Sequence, residues 1–101
     1  MTRRDLPLPQ QAVQACHATY EAAKSFPCDT HPHFCLCAVR DEARLHLEME
    51  KLRMAGIQVR AFYEPDRNNE LTAFATEAIS GEKRRHFRNF QLLRTEEAVA
   101  A

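Results

Sequence analysis

Polar and apolar positions over residues 9–23, PQQAVQACHATYEAA, recur with a helical period. At 3.6 residues per turn, Gln10, Gln14, His17 and Glu21 fall on one line. Val13, Cys16 and Tyr20 form an apolar stripe beside it, with His17 at the seam. Pro9 suits the first turn, where its missing N–H would have had no partner. The spacing predicts a helix from residue 9 to about 25–26 that buries the Val13, Cys16 and Tyr20 edge. Ahead of it, residues 3–6 predict a brief edge strand.

The two prolines and the Asp-Thr pair of residues 27–32, PCDTHP, predict a loop. Residues 33–39, HFCLCAV, are a continuous apolar run of strand length and predict a strand buried on both faces. Asp41 then predicts the N-cap of a helix over 42–55, which Gly56 ends. Leu45, Met49 and Leu52 make its core stripe, while Leu47 and Met54 fall on the opposite face and need a covering surface. Residues 57–63, IQVRAFY, alternate as a strand, and a polar turn follows over 64–69. Residues 70–79 predict another strand, with Leu71, Ala73 and Ala75 on one face and Thr72, Phe74 and Thr76 on the other. Ser80 is placed to cap a last helix over 81–93 that turns Phe87 and Phe90 inward, and 95–101 reads as a frayed tail.

This β-α-β-α-β-β-α order predicts an α/β fold, a small three-layer α/β sandwich with a four-stranded mixed sheet and about three helices. The segment from the second strand through the second helix to the third strand is expected as a right-handed crossover between parallel strands. A length of 101 residues with 45% hydrophobic and 28% charged positions fits one domain, its core over about 3–93. No apolar run approaches the roughly 20 residues of a membrane span. The opening MTRRDLPLP lacks the apolar core of a secretory leader, so a cytoplasmic location is expected. The net charge is zero, with 14 basic and 14 acidic residues, so affinity for nucleic acid has to come from a local patch.

Such a patch is present in GEKRRHFRNFQLLR, where Lys83, Arg84, Arg85, Arg88 and Arg94 face a single acidic residue, Glu82. Arg84 and Arg88 share a helical face suited to phosphate, and a solvated amphipathic helix explains the same pattern. The Gln10, Gln14 and His17 line fits a polar site with a proton carrier, and from spacing alone a half-buried histidine bonded to a carbonyl accounts for it better. Glu64 and Asp66, with Thr72 on the next strand, fit an acid/base corner or a plain solvated turn. Cys28, His31, His33, Cys35 and Cys37 are ligand-type residues, but their spacing matches no standard zinc knuckle. Core packing and a polar loop account for them better, and neither a metal nor another cofactor is expected.

Three stretches together resemble the bacterial/archaeal-type peptidyl-tRNA hydrolase 2 family. Arg4-Asp5-Leu6 is similar to the exit from that family's first strand. Gln11-Ala12-Val13-Gln14-Ala15-Cys16-His17-Ala18 is similar to its first-helix pattern, a glutamine three residues before a His-Ala pair. Glu64 onward to Leu71-Thr72-Ala73-Phe74-Ala75 resembles a shortened form of its acidic turn and threonine strand. The resemblance implies a compact α/β fold and hydrolysis of the ester joining a peptide to the 3′ end of tRNA, or binding of tRNA. It implies site roles for Gln14, His17, Glu64, Asp66 and Thr72, and tRNA contacts from Gln10, Lys83, Arg84 and Arg88. Two departures fall on the chemistry: where the family carries a Gly-Lys pair with a catalytic lysine, this chain has Pro9-Gln10, and Glu64-Pro65-Asp66-Arg67-Asn68 stands in place of the family's Asp-Ala-Gly-Arg-Thr run. A non-catalytic interaction module on the same scaffold is the alternative, with a homodimer through Leu47 and Met54 as its expected form.

Overall fold

The computed structural model describes residues 1–93, so Arg94 and the tail expected over 95–101 lie outside the described residues. The elements run β1 (Thr2–Arg3), α1 (Leu8–Ser25), β2 (Ala38–Val39), α2 (Glu42–Met54), β3 (Val59–Glu64) and β4 (Glu70–Thr76). Short 3₁₀ segments occupy Pro65–Arg67 and Gly81–Phe87. The fold is the expected α/β class built on a four-stranded mixed sheet. No helix among the described residues is long and apolar enough to cross a membrane.

The strand order is β2-β1-β4-β3. β1 pairs parallel with β2 and antiparallel with β4, and β4 pairs antiparallel with β3. Thus β2 and β3 run in the same direction, as the crossover through α2 requires, but lie at opposite edges of the sheet. The parallel neighbours are β1 and β2, joined through α1. β1 is therefore a central strand and not the edge expected from its position. Both of its sides are paired: Thr2 N donates to Cys37 O at 2.9 Å, and Phe74 N donates to Met1 O at 3.0 Å. An arginine in a central strand is tolerated because Arg3 is clamped by two carboxylates, Asp5 at 2.8 Å and Glu70 at 2.7 Å.

α2 forms as its sequence requires. The Asp41 carboxylate accepts from Arg44 N at 2.9 Å, and Gly56 takes the left-handed conformation, φ 84°, that ends the turn after it. Leu45, Met49 and Leu52 are buried against Ile57, Val59, Leu71 and Phe74, each large apolar side chain contributing about 1.5–3 kcal/mol.

α1 buries a different face from the one its apolar residues suggest. Gln11, Gln14, Ala15, Ala18 and Ala22 are buried, while Val13 and Tyr20 are 53% and 65% exposed and Cys16 is also exposed. A stripe of alanines lets the helix backbone lie close to the sheet. The two glutamines at its head are tolerated because their side chains hydrogen-bond at the interface.

The two helices cover opposite faces, and a bulge in β4 decides which side chains each receives. Register passes from Phe62↔Ala73 to Tyr63↔Leu71, so Thr72 has no residue opposite it. Leu71 and Phe74, three positions apart, therefore share the α2 face with Val59 and Ala61. Thr72 and Ala73 turn to the α1 face with Phe62, on which His17 stacks. The simple alternation expected for this strand is thus corrected by one inserted residue.

Three further expectations are revised. The strand expected over 33–39 is only Ala38–Val39, since the two-residue β1 offers no longer partner, and Phe34 is 78% exposed. The strand expected over 70–79 stops at Thr76. The expected last helix is a 3₁₀ segment, Gly81–Phe87, in which Ser80 makes no side-chain cap. Like charges at Arg84 and Arg88, and at Arg85 and Arg88, oppose α-helical spacing there. Phe87 and Phe90 still turn inward, edge to face at 5.6 Å, against the α2-side core. The chain then returns along β2, with Leu93 N donating to Leu36 O at 2.8 Å.

Candidate functional site

Gln14 sits in the second turn of α1, above the bulge in β4. Its Oε1 accepts from the Thr72 hydroxyl at 2.7 Å, and its Nε2 donates to Glu64 Oε1 at 3.0 Å. Both ends of the amide are therefore fixed, and three elements (α1, β3 and β4) meet through one side chain. Thr72 is fully buried and its carbonyl accepts from the Thr2 hydroxyl at 2.9 Å, which ties the arrangement to the central strand as well. Without the inserted residue, the Thr72 hydroxyl would face α2. The bulge is what aims it at Gln14.

An open hollow of about 410 Å³ lies beside this network, lined by Pro9, Gln10, Val13, Gln14, Glu64, Asp66 and Arg67. Pro65–Arg67 forms one 3₁₀ turn that carries the backbone from β3 over the hollow. Asn68 and Asn69 follow in the left-handed region, φ 55° and 59°, where asparagine is among the better tolerated residues. Asn69 N closes the turn on Glu64 O at 2.9 Å.

Charge in the turn is organised from behind by Arg3. Its guanidinium holds Asp5 through two hydrogen bonds and Glu70 and the Leu71 carbonyl through another nitrogen. The hydrogen bond from Arg3 keeps the Asp5 carboxyl below its ordinary range, and the same cause lowers Glu70. In return, the Asp5 hydrogen bond raises Arg3 further above its ordinary range. Arg67 Nε lies 3.5 Å from Glu70 Oε1, within ion-pair range, and adds to the effect of Arg3 in lowering that carboxyl.

Chemically, the hollow presents a carboxylate held by an amide (Glu64), a freer carboxylate (Asp66), an amide (Gln10) and a guanidinium (Arg67). Such a set accepts a proton from water or a hydroxyl and offers donors to a carbonyl oxygen or a phosphate.

Of the residues singled out in the sequence, Gln10, Gln14, Glu64 and Asp66 line one hollow, with Thr72 directly behind them. His17 lies one turn along α1, exposed, with its ring stacked on Phe62 at 4.5 Å and 11°. It flanks the hollow without lining it. Lys83, Arg84 and Arg88 are exposed on a segment packed to the α2 side of the sheet, away from Gln14, so they do not join Gln10 in a single surface. Leu47 and Met54 are exposed, at 46% and 88%. In the Cys/His stretch Cys28, His31, His33 and Cys35 are exposed, so Cys35 is not the core residue expected, while Cys37 is half-buried beside β1; no cluster of three metal-type ligands occurs among the described residues.

Sequence reasoning gave no role to Arg67 or to the Arg3 clamp. The signal for the clamp was Arg3 and Asp5 two positions apart, the spacing that places both side chains on the same side of an extended chain. No protein-family model, curated protein or solved structure matches this chain.

Proposed function

We propose that the chain is a divergent peptidyl-tRNA hydrolase-like protein whose substrate end, the 3′ ester of a peptidyl-tRNA, enters the hollow between α1 and the Pro65–Arg67 turn. The observation that carries this reading is the double hydrogen bonding of Gln14, which holds Glu64 at the rim with Oε1 engaged. Glu64 Oε2 has no hydrogen-bond partner among the described residues and accepts the proton of an attacking water. The water oxygen adds to the ester carbonyl. Donors from Gln10 and Arg67 then face the oxyanion, and its collapse releases the 3′ hydroxyl, which takes the proton back.

In this reading Glu64, fixed by an amide, is the proton acceptor, while Asp66 orients the substrate. Thr72 is a positioning residue: it is buried and donates to Gln14, so it does not reach the ester. His17 flanks the entry and offers a ring face to a base of the 3′ end.

Gln10 in the place of a lysine favours a second reading, tRNA-end binding without turnover. One assay separates the two. Peptide release from peptidyl-tRNA is measured for the wild type and Glu64→Gln, alongside equilibrium binding of the same tRNA. Release by the wild type that falls in the variant supports hydrolysis. Binding with only background release supports the second reading, and neither activity overturns both.

A further inference from the structure

We propose that two copies of this chain pair antiparallel through β3, in a register centred on Phe62, so that Arg60 of each copy meets Glu64 of the other. The proposal does not depend on the hydrolase reading.

Among the described residues β3 is an edge strand, with only β4 beside it. It runs six residues, VRAFYE, with no proline inside it, and the sheet's bulge lies in β4. Proline and a bulge, two of the features that blunt an exposed edge, are therefore missing from it, and the two charges it carries, Arg60 and Glu64, are of opposite sign. The Phe62 carbonyl lies 3.5 Å from the Thr72 hydroxyl and so faces β4. Glu64 O likewise faces that side, where it accepts from Asn69 N. By strand alternation the backbone groups of Val59, Ala61 and Tyr63 point outward, and among the described residues nothing pairs with them.

Charge selects one register in which a second copy of the same strand meets this edge. Residues opposed across an antiparallel pair share a face, so the centre must fall on a residue. Centring on Arg60 opposes that arginine to itself. Centring on Ala61 pairs all three outward residues but sets Arg60 against Phe62 and Gln58 against Glu64, so no unlike charges meet. Centring on Tyr63 runs Pro65, which has no N–H, against Ala61 inside the ladder, whereas centring on Phe62 leaves it only at the end of the ladder, opposite Val59. Centring on Phe62 sets Ala61 opposite Tyr63 of the second copy, where both outward-pointing residues exchange their N–H and C=O groups. It also sets Phe62 against Phe62 as a close non-hydrogen-bonded pair on the α1 face. Finally it sets Arg60 opposite Glu64 at both ends. Neither residue makes an ion pair among the described residues: Arg60 Nε bonds the Ser25 hydroxyl at 2.8 Å, and Glu64 accepts from Gln14.

The consequence reaches the hollow. Glu64 is one of its lining residues, so the pairing brings a guanidinium from the second copy to its rim.

The test is sedimentation equilibrium on the purified chain over a wide concentration range. Wild type is expected at twice the chain mass. Arg60→Glu, which opposes two glutamates at each end, is expected to weaken self-association at least tenfold. The double swap Arg60→Glu/Glu64→Arg restores the opposition of unlike charges and is expected to recover the dimer. Ala61→Pro removes an outward N–H while sparing the β4 ladder, and is expected to be a folded monomer by circular dichroism. Leu47→Glu/Met54→Glu is expected to leave the dimer unchanged. A wild type that is monomeric throughout overturns the proposal. So does a dimer indifferent to Arg60→Glu and Ala61→Pro, or one dissolved by the Leu47/Met54 pair.

Discussion

Thr72 donates its hydroxyl proton to Gln14 across 2.7 Å at the interface of α1 and β4, with both residues buried. The bond exists because one extra residue in β4 turns Thr72 away from the α2 core. Removing the hydroxyl leaves Gln14 Oε1 buried without its partner. Thr72→Val is therefore expected to destabilise the chain by about 1–3 kcal/mol, the cost of an unsatisfied buried acceptor, while Thr72→Ser keeps most of the stability. Urea unfolding of both variants measures this.

The Arg3 clamp gives the chain an acid-sensitive component. Asp5 and Glu70 are held below their ordinary values of 3.8 and 4.5 chiefly by hydrogen bonds from Arg3. The unfolded chain thus binds more protons than the folded one in this range. The contribution is complete above about pH 5, and it is lost as pH falls through the lowered folded values. Arg3→Met is expected to flatten this acid limb and to lower stability at pH 7. Unfolding midpoints from pH 7 down to 2.5 check it; an unchanged acid limb would contradict the clamp.

Substitutions on α1 distinguish its buried face from its apolar one. Ala18 is fully buried and Tyr20 is 65% exposed. Ala18→Leu is expected to cost about 1–3 kcal/mol by overpacking against the sheet. Tyr20→Ser is expected to stay within about 0.5 kcal/mol of wild type. The order would be reversed if the Val13, Cys16 and Tyr20 stripe faced the core.

On the other face, Leu45 is fully buried among Met49, Leu71 and Phe74, all carried by α2 and the bulged strand. Leu45→Ala is expected to cost about 2–5 kcal/mol, read from the same urea curves.

How much of this was legible in the sequence depended on whether local chemistry or tertiary pairing decided each element. α2 was legible throughout, because Asp41, the Leu45, Met49 and Leu52 stripe and Gly56 all point the same way. α1 was legible as a helix, but its contact face was not. Alanines and hydrogen-bonded glutamines carry a weak hydrophobic signal, and the stronger stripe proved to be exposed. The apolar run 33–39 has strand composition, yet its pairing length is limited by the two residues of β1. The bulge at Thr72 was invisible to a period-two reading, which requires unbroken alternation. At the hollow, the lining residues Gln10, Gln14, Glu64 and Asp66 had been singled out in the sequence by residue type, spacing and the family resemblance. Arg67 was not, because only the 3₁₀ turn brings it to the hollow.

The most direct measurement is two-dimensional amide and side-chain NMR of the labelled chain, titrated with an acceptor-stem RNA that ends in CCA with a 3′-amide-linked peptide. The account predicts saturable shifts at Gln10, Gln14, Asp66 and Arg67, including the Gln14 side-chain amide that holds Glu64. Shifts confined to Lys83, Arg84 and Arg88, or no saturable shifts at all, would contradict the assignment of the hollow as the ligand site.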